Sequence, residues 1–223
     1  MRKMLDFDKS QMMRAVRWFT RWSLLALGNG LAAFILLSVG ATQATAGTPT
    51  DTIRNMLTEA IRILENQELK KPERAEERRQ QLERVLGDPF NFEEMSKRAL
   101  GAHWAKLSDA ERREFAQLFK ALLANTYADR ITGYSGEQIY YLNERVEGDY
   151  AEVRTKIVSE KAEYPFDYRL VRKPNDWRVY DVIVDGVSLV NNYRGQFTKI
   201  LRTSSYADLV EQLRKKSEKN KSP

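Results

Sequence analysis

The hydrophobic period of this chain changes twice, and these changes limit its fold more than any other feature of the sequence. Up to about residue 133, apolar residues recur every three or four positions, as they do on one face of an amphipathic helix. From Glu137 to Val184 they alternate with polar residues, which is typical of half-buried strands. After Asp185-Gly186 the helical period returns. Helices on both sides of one block of strands predict an α+β fold.

Local start signals place the helices. Ser108 followed by Glu111 forms a capping box, which predicts the start of a long helix that ends near Gly133. Asn91 with Glu94 predicts the start of a shorter helix. The predicted helices begin near residues 51, 72, 91, 109, 187 and 205.

Four strands are predicted between these helical parts. They cover residues 139–142, 151–157, 164–171 and 177–184. Short turns such as Glu147-Gly148-Asp149 require neighbouring strands to be antiparallel. An antiparallel sheet needs an apolar cover on only one face. We therefore expect several helices packed on one face of a curved, mainly antiparallel four-stranded sheet, with either a solid core or an apolar pocket between them.

Residues 1–46 have the features of an export signal. Basic residues precede an apolar stretch from Ser23 to Gly40, and Ala44-Thr45-Ala46 fits the small-x-small rule for signal peptidase. We expect cleavage after Ala46, which leaves residues 47–223 as a single domain. No twin-arginine pair precedes the apolar stretch, which favours a Sec-type route to the periplasm. Met12 or Met13 offers a more ordinary start for such a signal than Met1.

An uncleaved leader is the alternative, and it would make the protein a membrane-anchored scaffold. A membrane-spanning helix needs roughly 20 strongly apolar residues. Gly28-Asn29-Gly30 interrupts the stretch, so a cleaved signal is the preferred interpretation.

The charge balance argues against a nucleic-acid partner. The full chain has 37 basic and 31 acidic residues, and residues 1–46 hold six of the basic and two of the acidic ones. The remainder therefore has 31 basic and 29 acidic residues. A nucleic-acid binder should keep its basic excess in the folded part of the chain. We expect no nucleic-acid binding.

The residues that usually perform catalysis or hold metals are scarce. Cysteine is absent and His103 is the single histidine, so thiolate chemistry and histidine-rich metal sites are excluded. The sequence has no P-loop, no dinucleotide-binding glycine motif and no G-x-S-x-G elbow. An α+β enzyme that uses His103 or a carboxylate stays as the alternative. We expect no catalytic residue, no metal and no cofactor.

Several stretches resemble one known family. The matching stretches are Phe92–Gly101, His103–Trp104, Leu107–Ser108, Tyr134–Glu137, Ala151–Thr155, Trp177–Val182, Gly186–Arg194 and Ser204–Tyr206. The most specific of them is Trp177–Val182, which continues into Gly186–Arg194. In these stretches the chain resembles the MlaC family, also called toluene-tolerance proteins. The resemblance covers the whole chain after the leader, in order.

The resemblance implies a periplasmic protein that binds phospholipid and is not an enzyme. It implies a shuttle that moves glycerophospholipid between an outer-membrane lipoprotein–porin complex and an inner-membrane ABC transporter complex, which maintains the lipid asymmetry of the outer membrane. The bound phospholipid would be cargo rather than a cofactor.

A lipid carrier needs an apolar wall, and we expect it where the long helix at 109–130 faces the strands at 150–184. The aromatic stripe of that helix and the apolar positions of the strands supply the candidates. The expected wall residues are Phe115, Phe119, Leu122, Val153, Tyr168, Val179 and Val182. An ordinary filled core has the same pattern, so the sequence alone leaves both interpretations open.

Overall fold

The structure is a computed structural model, which describes residues 47–160, 162–174 and 176–218. The predicted leader, residues 1–46, lies outside the described residues. The helices are α1 (Pro49–Glu65), α2 (Ala75–Gly87), α3 (Phe92–Leu100), α4 (Asp109–Thr132), α5 (Leu189–Leu201) and α6 (Tyr206–Glu218), with short 3-10 helices at Pro72–Arg74 and Gly101–Lys106. The strands are β1 (Gln138–Glu147), β2 (Tyr150–Val158), β3 (Glu163–Lys173), β4 (Asp176–Val184) and β5 (Val187–Ser188).

Capping boxes begin α1 and α4. At α4 the Ser108 amide donates to the Glu111 carboxylate at 2.8 Å, and the Glu111 amide donates back to the Ser108 hydroxyl at 3.4 Å. The same reciprocal pair joins Thr48 and Asp51 at the start of α1. Because these bonds satisfy amides that have no partner inside the helix, they fix where each helix begins. The predicted start of the long helix is confirmed.

The sheet is open and antiparallel, with its strands in chain order β1-β2-β3-β4-β5. The predicted α+β class and the four long strands are confirmed. β5 is an additional strand of two residues, which is too short to give an alternating pattern. Asp185 and Gly186 both have positive φ (50° and 77°), and they form the tight turn that brings β5 back beside β4. The register shifts at Leu142 on β1 and at Tyr180 on β4 are β-bulges.

The sheet has one apolar and one polar face. On β2, Ala151 and Val153 are buried, while Glu152 and Arg154 alternate with them on the other side. Glu152 pairs with Arg154 at 2.8 Å and with Arg169 at 3.5 Å on the polar side. We call the apolar side the inner face. By strand register it carries Ile139, Tyr141, Glu144 and Val146 of β1, Ala151, Val153, Thr155 and Ile157 of β2, Tyr164, Phe166, Tyr168, Leu170 and Arg172 of β3, and Trp177, Val179, Val182 and Val184 of β4.

α1 covers the inner face. Ile53 and Met56 are buried in one cluster with Val153, Tyr168 and other residues of the face. We expected residues 109–130 in this role, but α4 packs chiefly against α3 and α6. An amphipathic stripe shows that a helix has an apolar partner without identifying that partner, which is why the sequence assigned the cover to the wrong helix.

α3, α4, α5 and α6 form a second cluster, which we call the helical cluster. Its buried members include Met95, Phe115, Phe119, Tyr193, Phe197 and Leu209. A third, smaller cluster joins α1 to α2 through residues such as Ile63 and Leu82. Phe90 and Leu189 are partly buried and touch both the helical cluster and the cluster on the inner face. These two residues therefore mark the seam between the two larger clusters.

A buried carboxylate fixes the helical cluster to the sheet. Asp181 of β4 is 3% exposed. It accepts hydrogen bonds from the amides of Val182 (2.9 Å) and Val190 (3.0 Å) and from the Ser188 hydroxyl (2.6 Å), while the Arg169 guanidinium lies 3.6 Å away. Val190 lies in the first turn of α5, where an anion also interacts favourably with the helix dipole. This network explains why α5 begins directly after β5.

Candidate apolar binding site

The inner face is closed at one end on β2, β3 and β4, while Val146 at its β1 edge stays 43% exposed. There Ala151, Leu170 and Val179 are at most 6% exposed, and Trp177 is 3% exposed. The Arg172 guanidinium lies 4.3 Å from the centre of the Trp177 ring and covers it from solvent. Side chains at this end are packed as in an ordinary core.

The other end of the inner face is open. Tyr141, Phe166 and Val184 lie side by side across the strands and are only partly buried. In the next row Ile157 is partly buried and Tyr164 is 43% exposed. Apolar surface therefore continues beyond the part of the sheet that α1 covers. An apolar strip that leads from solvent toward a closed end is a candidate site for a long apolar ligand.

Thr155 is the polar residue in the middle of this strip, and it is 1% exposed. Its hydroxyl donates to the Phe166 carbonyl, so its polarity is satisfied within the sheet. Burial raises the pKa of the Tyr168 hydroxyl far above its ordinary range, and the neighbouring Tyr141 raises it further. The strip therefore has no charge from these two residues, as an acyl-chain site requires.

Two contacts join the start of α1 to the edge strand β1, one level with Val153 and one level with Thr155 at the open end. The Thr50 amide and hydroxyl both donate to the Glu144 carboxylate of β1, at 2.8 and 2.6 Å. One turn later, the Arg54 guanidinium lies 4.8 Å from the centre of the Tyr141 ring. These contacts fix the first turns of α1 beside β1.

The seven wall residues expected from the sequence fall into two groups. Val153, Tyr168, Val179 and Val182 come together on the inner face, beside Ile53 and Met56 of α1. Phe115, Phe119 and Leu122 lie instead in the helical cluster, where the Phe115 and Phe119 rings are 6.1 Å apart. The structure does not bring the seven into one wall. That they line a lipid pocket stays a prediction from the sequence, and the proposal below rests on the first group.

Sequence reasoning missed several residues of the open end. Phe166 shares a strand face with Tyr168, so the period of two was sufficient to add it to the expected wall. Tyr141 faces inward only because the bulge at Leu142 changes the alternation along β1, and an isolated bulge has no clear sequence signal. Ile53 and Met56 were recognised as an apolar stripe, but their partner on the sheet is a long-range contact.

The other candidate sites have fewer of the features that a catalytic, metal or apolar ligand site needs. Within the described residues, the His103 side chain has no hydrogen bond or ion pair, and no three His, Cys, Asp or Glu side chains form a group that could hold a metal. Two clefts of about 130 and 380 Å³ lie between α1 and α2, and most of their lining residues are polar. None of the seven expected wall residues lines either cleft. None of the helices that the structure describes is long and apolar enough to cross a membrane.

Comparison with known proteins identifies relatives of this chain. The family described as "MlaC protein" matches residues 54–215, which is more than half of the chain. The intermembrane phospholipid transport system binding protein MlaC of Haemophilus influenzae is 27% identical over 126 residues, which cover 54% of this chain and 59% of that protein. The toluene tolerance protein ttg2D of Pseudomonas putida is 26% identical over 175 residues, 77% of this chain and 79% of that protein.

One solved structure has a similar fold. It is the phospholipid-binding protein of Ralstonia solanacearum in complex with a phospholipid, at 1.53 Å resolution. The similarity has a TM-score of 0.66 at 22% sequence identity, and it covers 76% of this chain and 96% of that one. The arrangement of helices on an open antiparallel sheet is therefore shared with a protein that holds a lipid.

Proposed function

Since the chain belongs to the MlaC family, we propose that it binds glycerophospholipid with the acyl chains along the inner face of the sheet. The observation that carries this proposal is the open end, where Tyr141, Phe166 and Val184 stay only partly buried beside the closed, apolar end. A contiguous apolar surface that leads out of a core is a feature that marks ligand sites, whereas a single exposed apolar residue carries no such meaning.

Such a carrier removes a large barrier to lipid transfer. Each methylene exposed to water costs about 0.8 kcal/mol. Two acyl chains of roughly 15 methylenes each would therefore cost on the order of 20 kcal/mol in water. An apolar strip that is open at one end lowers this cost while it leaves the charged headgroup in solvent. This function requires binding and release only, so it needs no catalytic residue, metal or cofactor.

The cellular setting of this proposal comes from the sequence. We infer that residues 1–46 are a Sec-type signal peptide and that the chain acts in the periplasm. Its partners would be an outer-membrane lipoprotein–porin complex and an inner-membrane ABC transporter complex. The N-terminal sequence of the protein from a periplasmic extract tests this, since it should begin at Gly47. Recovery of the intact leader in the membrane fraction would favour the anchored scaffold.

The wall of the site is part of the proposal. Val153, Tyr168, Val179 and Val182 form its sheet side, and Ile53 and Met56 lie opposite on α1. Phe115, Phe119 and Leu122 could contact a ligand only across the seam at Phe90 and Leu189.

Native mass spectrometry of the purified protein tests the central claim. We expect a population whose added mass is that of a glycerophospholipid, and we expect the lipid-bound form to melt at a higher temperature than the delipidated form. Delipidated protein should regain the lipid from vesicles. A protein that is purified without lipid, and that takes up none from vesicles, would contradict the proposal.

A further inference from the structure

We propose that Arg54 of α1 binds the phosphate of the lipid at the open end of the inner face. This inference rests on the proposed function and adds to it a residue that recognises the headgroup. It assigns to the site a preference for lipids that carry a phosphodiester, whatever group lies beyond the phosphate.

Arg54 lies where a headgroup would lie. Its guanidinium stacks on Tyr141, which belongs to the first partly buried row of the open end. Ile53, the residue before Arg54 in α1, is completely buried against the inner face. Acyl chains placed along the strip toward Val153 and Leu170 would thus leave the glycerophosphate beside Arg54. A charged headgroup must stay at this end, because the desolvation of an unpaired ion at the closed end is very costly.

Most of the hydrogen-bonding capacity of Arg54 is unused. Among the described residues its one hydrogen-bond acceptor is the Asp51 Oδ1 atom, at 3.4 Å. The other oxygen of Asp51 accepts from the Thr48 amide (3.2 Å) and hydroxyl (2.8 Å), so this carboxylate serves mainly as the cap of α1. A guanidinium has five N–H donors in a planar fork that matches a phosphate. Stacking on Tyr141 holds that fork in place while 51% of the side chain remains exposed.

The neighbouring charges are compatible with an anion at this position. Glu144 lies nearby, but its carboxylate accepts two hydrogen bonds from Thr50 in the first turn of α1. The partial positive charge of that helix end further reduces its effect. The other guanidinium on the inner face, Arg172, stacks on Trp177 at the closed end and pairs with Asp149 at 3.7 Å. Of these two arginines, only Arg54 lies at the end that is open to solvent.

The test compares two ligands that differ only in the headgroup. Dioleoyl phosphatidylethanolamine carries the phosphate, and dioleoylglycerol has the same acyl chains without it. We expect Arg54→Ala to lower the affinity for the phospholipid about tenfold and to change that for dioleoylglycerol less than about twofold. The phospholipid affinity of Arg54→Lys should lie between those of the wild type and Arg54→Ala, because an ammonium keeps the charge and loses the bidentate geometry.

Arg62→Ala is the matched control. Arg62 lies on the same helix and pairs with Glu59 three residues before it, as Arg54 pairs with Asp51. It lines a cleft between α1 and α2 rather than the inner face. Its replacement removes a similar surface ion pair, and we expect both ligands to bind as they do to the wild type.

The outcomes separate this inference from the proposed function. Equal losses for the two ligands would mean that Arg54 acts through its packing on Tyr141, and no loss for either would mean that it has no role; both results overturn the inference. Wild type that binds neither ligand would overturn the proposed function itself.

Inorganic phosphate at millimolar concentration should not raise the melting temperature of the protein. Stabilisation equal to that by phospholipid would indicate a free-anion site and contradict the lipid assignment.

Discussion

The helical cluster and the inner face of the sheet are built from the same kinds of residues, but of the two only the inner face ends in large apolar side chains that are exposed. In the helical cluster Phe115, Phe119 and Phe197 have no exposed surface, and Phe197 meets each of the other two rings edge-on at 5.6 Å. On the inner face Val153 and Leu170 are equally buried, but the strip ends at Tyr164, which is 43% exposed. The helical cluster and the inner face therefore differ in the exposure of their outermost side chains, and not in composition.

The largest expected effect is a loss of stability in the helical cluster. Phe119→Ala should lower the free energy of unfolding by about 3–5 kcal/mol, because it leaves a cavity among rings that cannot collapse into it. At temperatures where the variant is folded, we expect its lipid content to equal that of the wild type. Chemical denaturation and native mass spectrometry measure the two quantities. A folded variant that has lost its lipid would place Phe119 in the wall of the site.

A smaller effect on stability, with loss of lipid, is expected on the inner face. Val153→Trp and Val179→Trp should destabilise the protein by about 1–3 kcal/mol, which is the usual cost of overpacking a buried position. Both variants should contain no phospholipid, because the indole occupies the strip.

Val210→Trp is the control for these variants, since Val210 is a buried valine of α6 in the helical cluster. It should cost stability without loss of lipid. If Val153→Trp kept its lipid while Val210→Trp lost it, the assignment of the two regions would be reversed.

The smallest effect concerns the cap that holds α1 over the inner face. Hydrogen bonds from the Thr48 hydroxyl and amide lower the pKa of Asp51 below its ordinary value of about 3.9. The carboxylate therefore stabilises the folded state fully above that value, and this contribution is lost as the pH falls through the lowered pKa. Asp51→Asn should melt slightly below the wild type at pH 7, and the difference should disappear in strong acid. Thermal melts across this range measure it.

Thr48→Ala serves as the partner control for this prediction. It removes the donor side chain, so Asp51→Asn should cost less in the Thr48→Ala background than alone. Fully additive effects would mean that Asp51 does not act through the cap.

Sequence patterns recovered the local features of this fold and missed the long-range ones. The capping box of Ser108 and Glu111 and the alternation at Ala151, Val153 and Thr155 depend on neighbours within a few residues, so they could be recognised directly. The cover of the sheet by Ile53 and Met56 depends on contacts about 100 residues away in the chain. For the candidate site, the sequence identified four strand positions of the inner face, Val153, Tyr168, Val179 and Val182, and not the row of Tyr141, Phe166 and Val184. It could not separate those four positions from Phe115 and Phe119, because both sets are apolar and periodic.

The strand order of the sheet also has a consequence for how the protein folds. Each strand pairs with the one just before it, so the sheet can grow hairpin by hairpin with short loops to close. α1 precedes all the strands, and its bond from Thr50 to Glu144 joins residues 94 positions apart. The helix that is made first is therefore expected to dock among the last. Until α1 docks, the whole apolar strip is exposed, so the chain is most prone to aggregate in the time before this step. The proposed lipid site is complete only once α1 has docked.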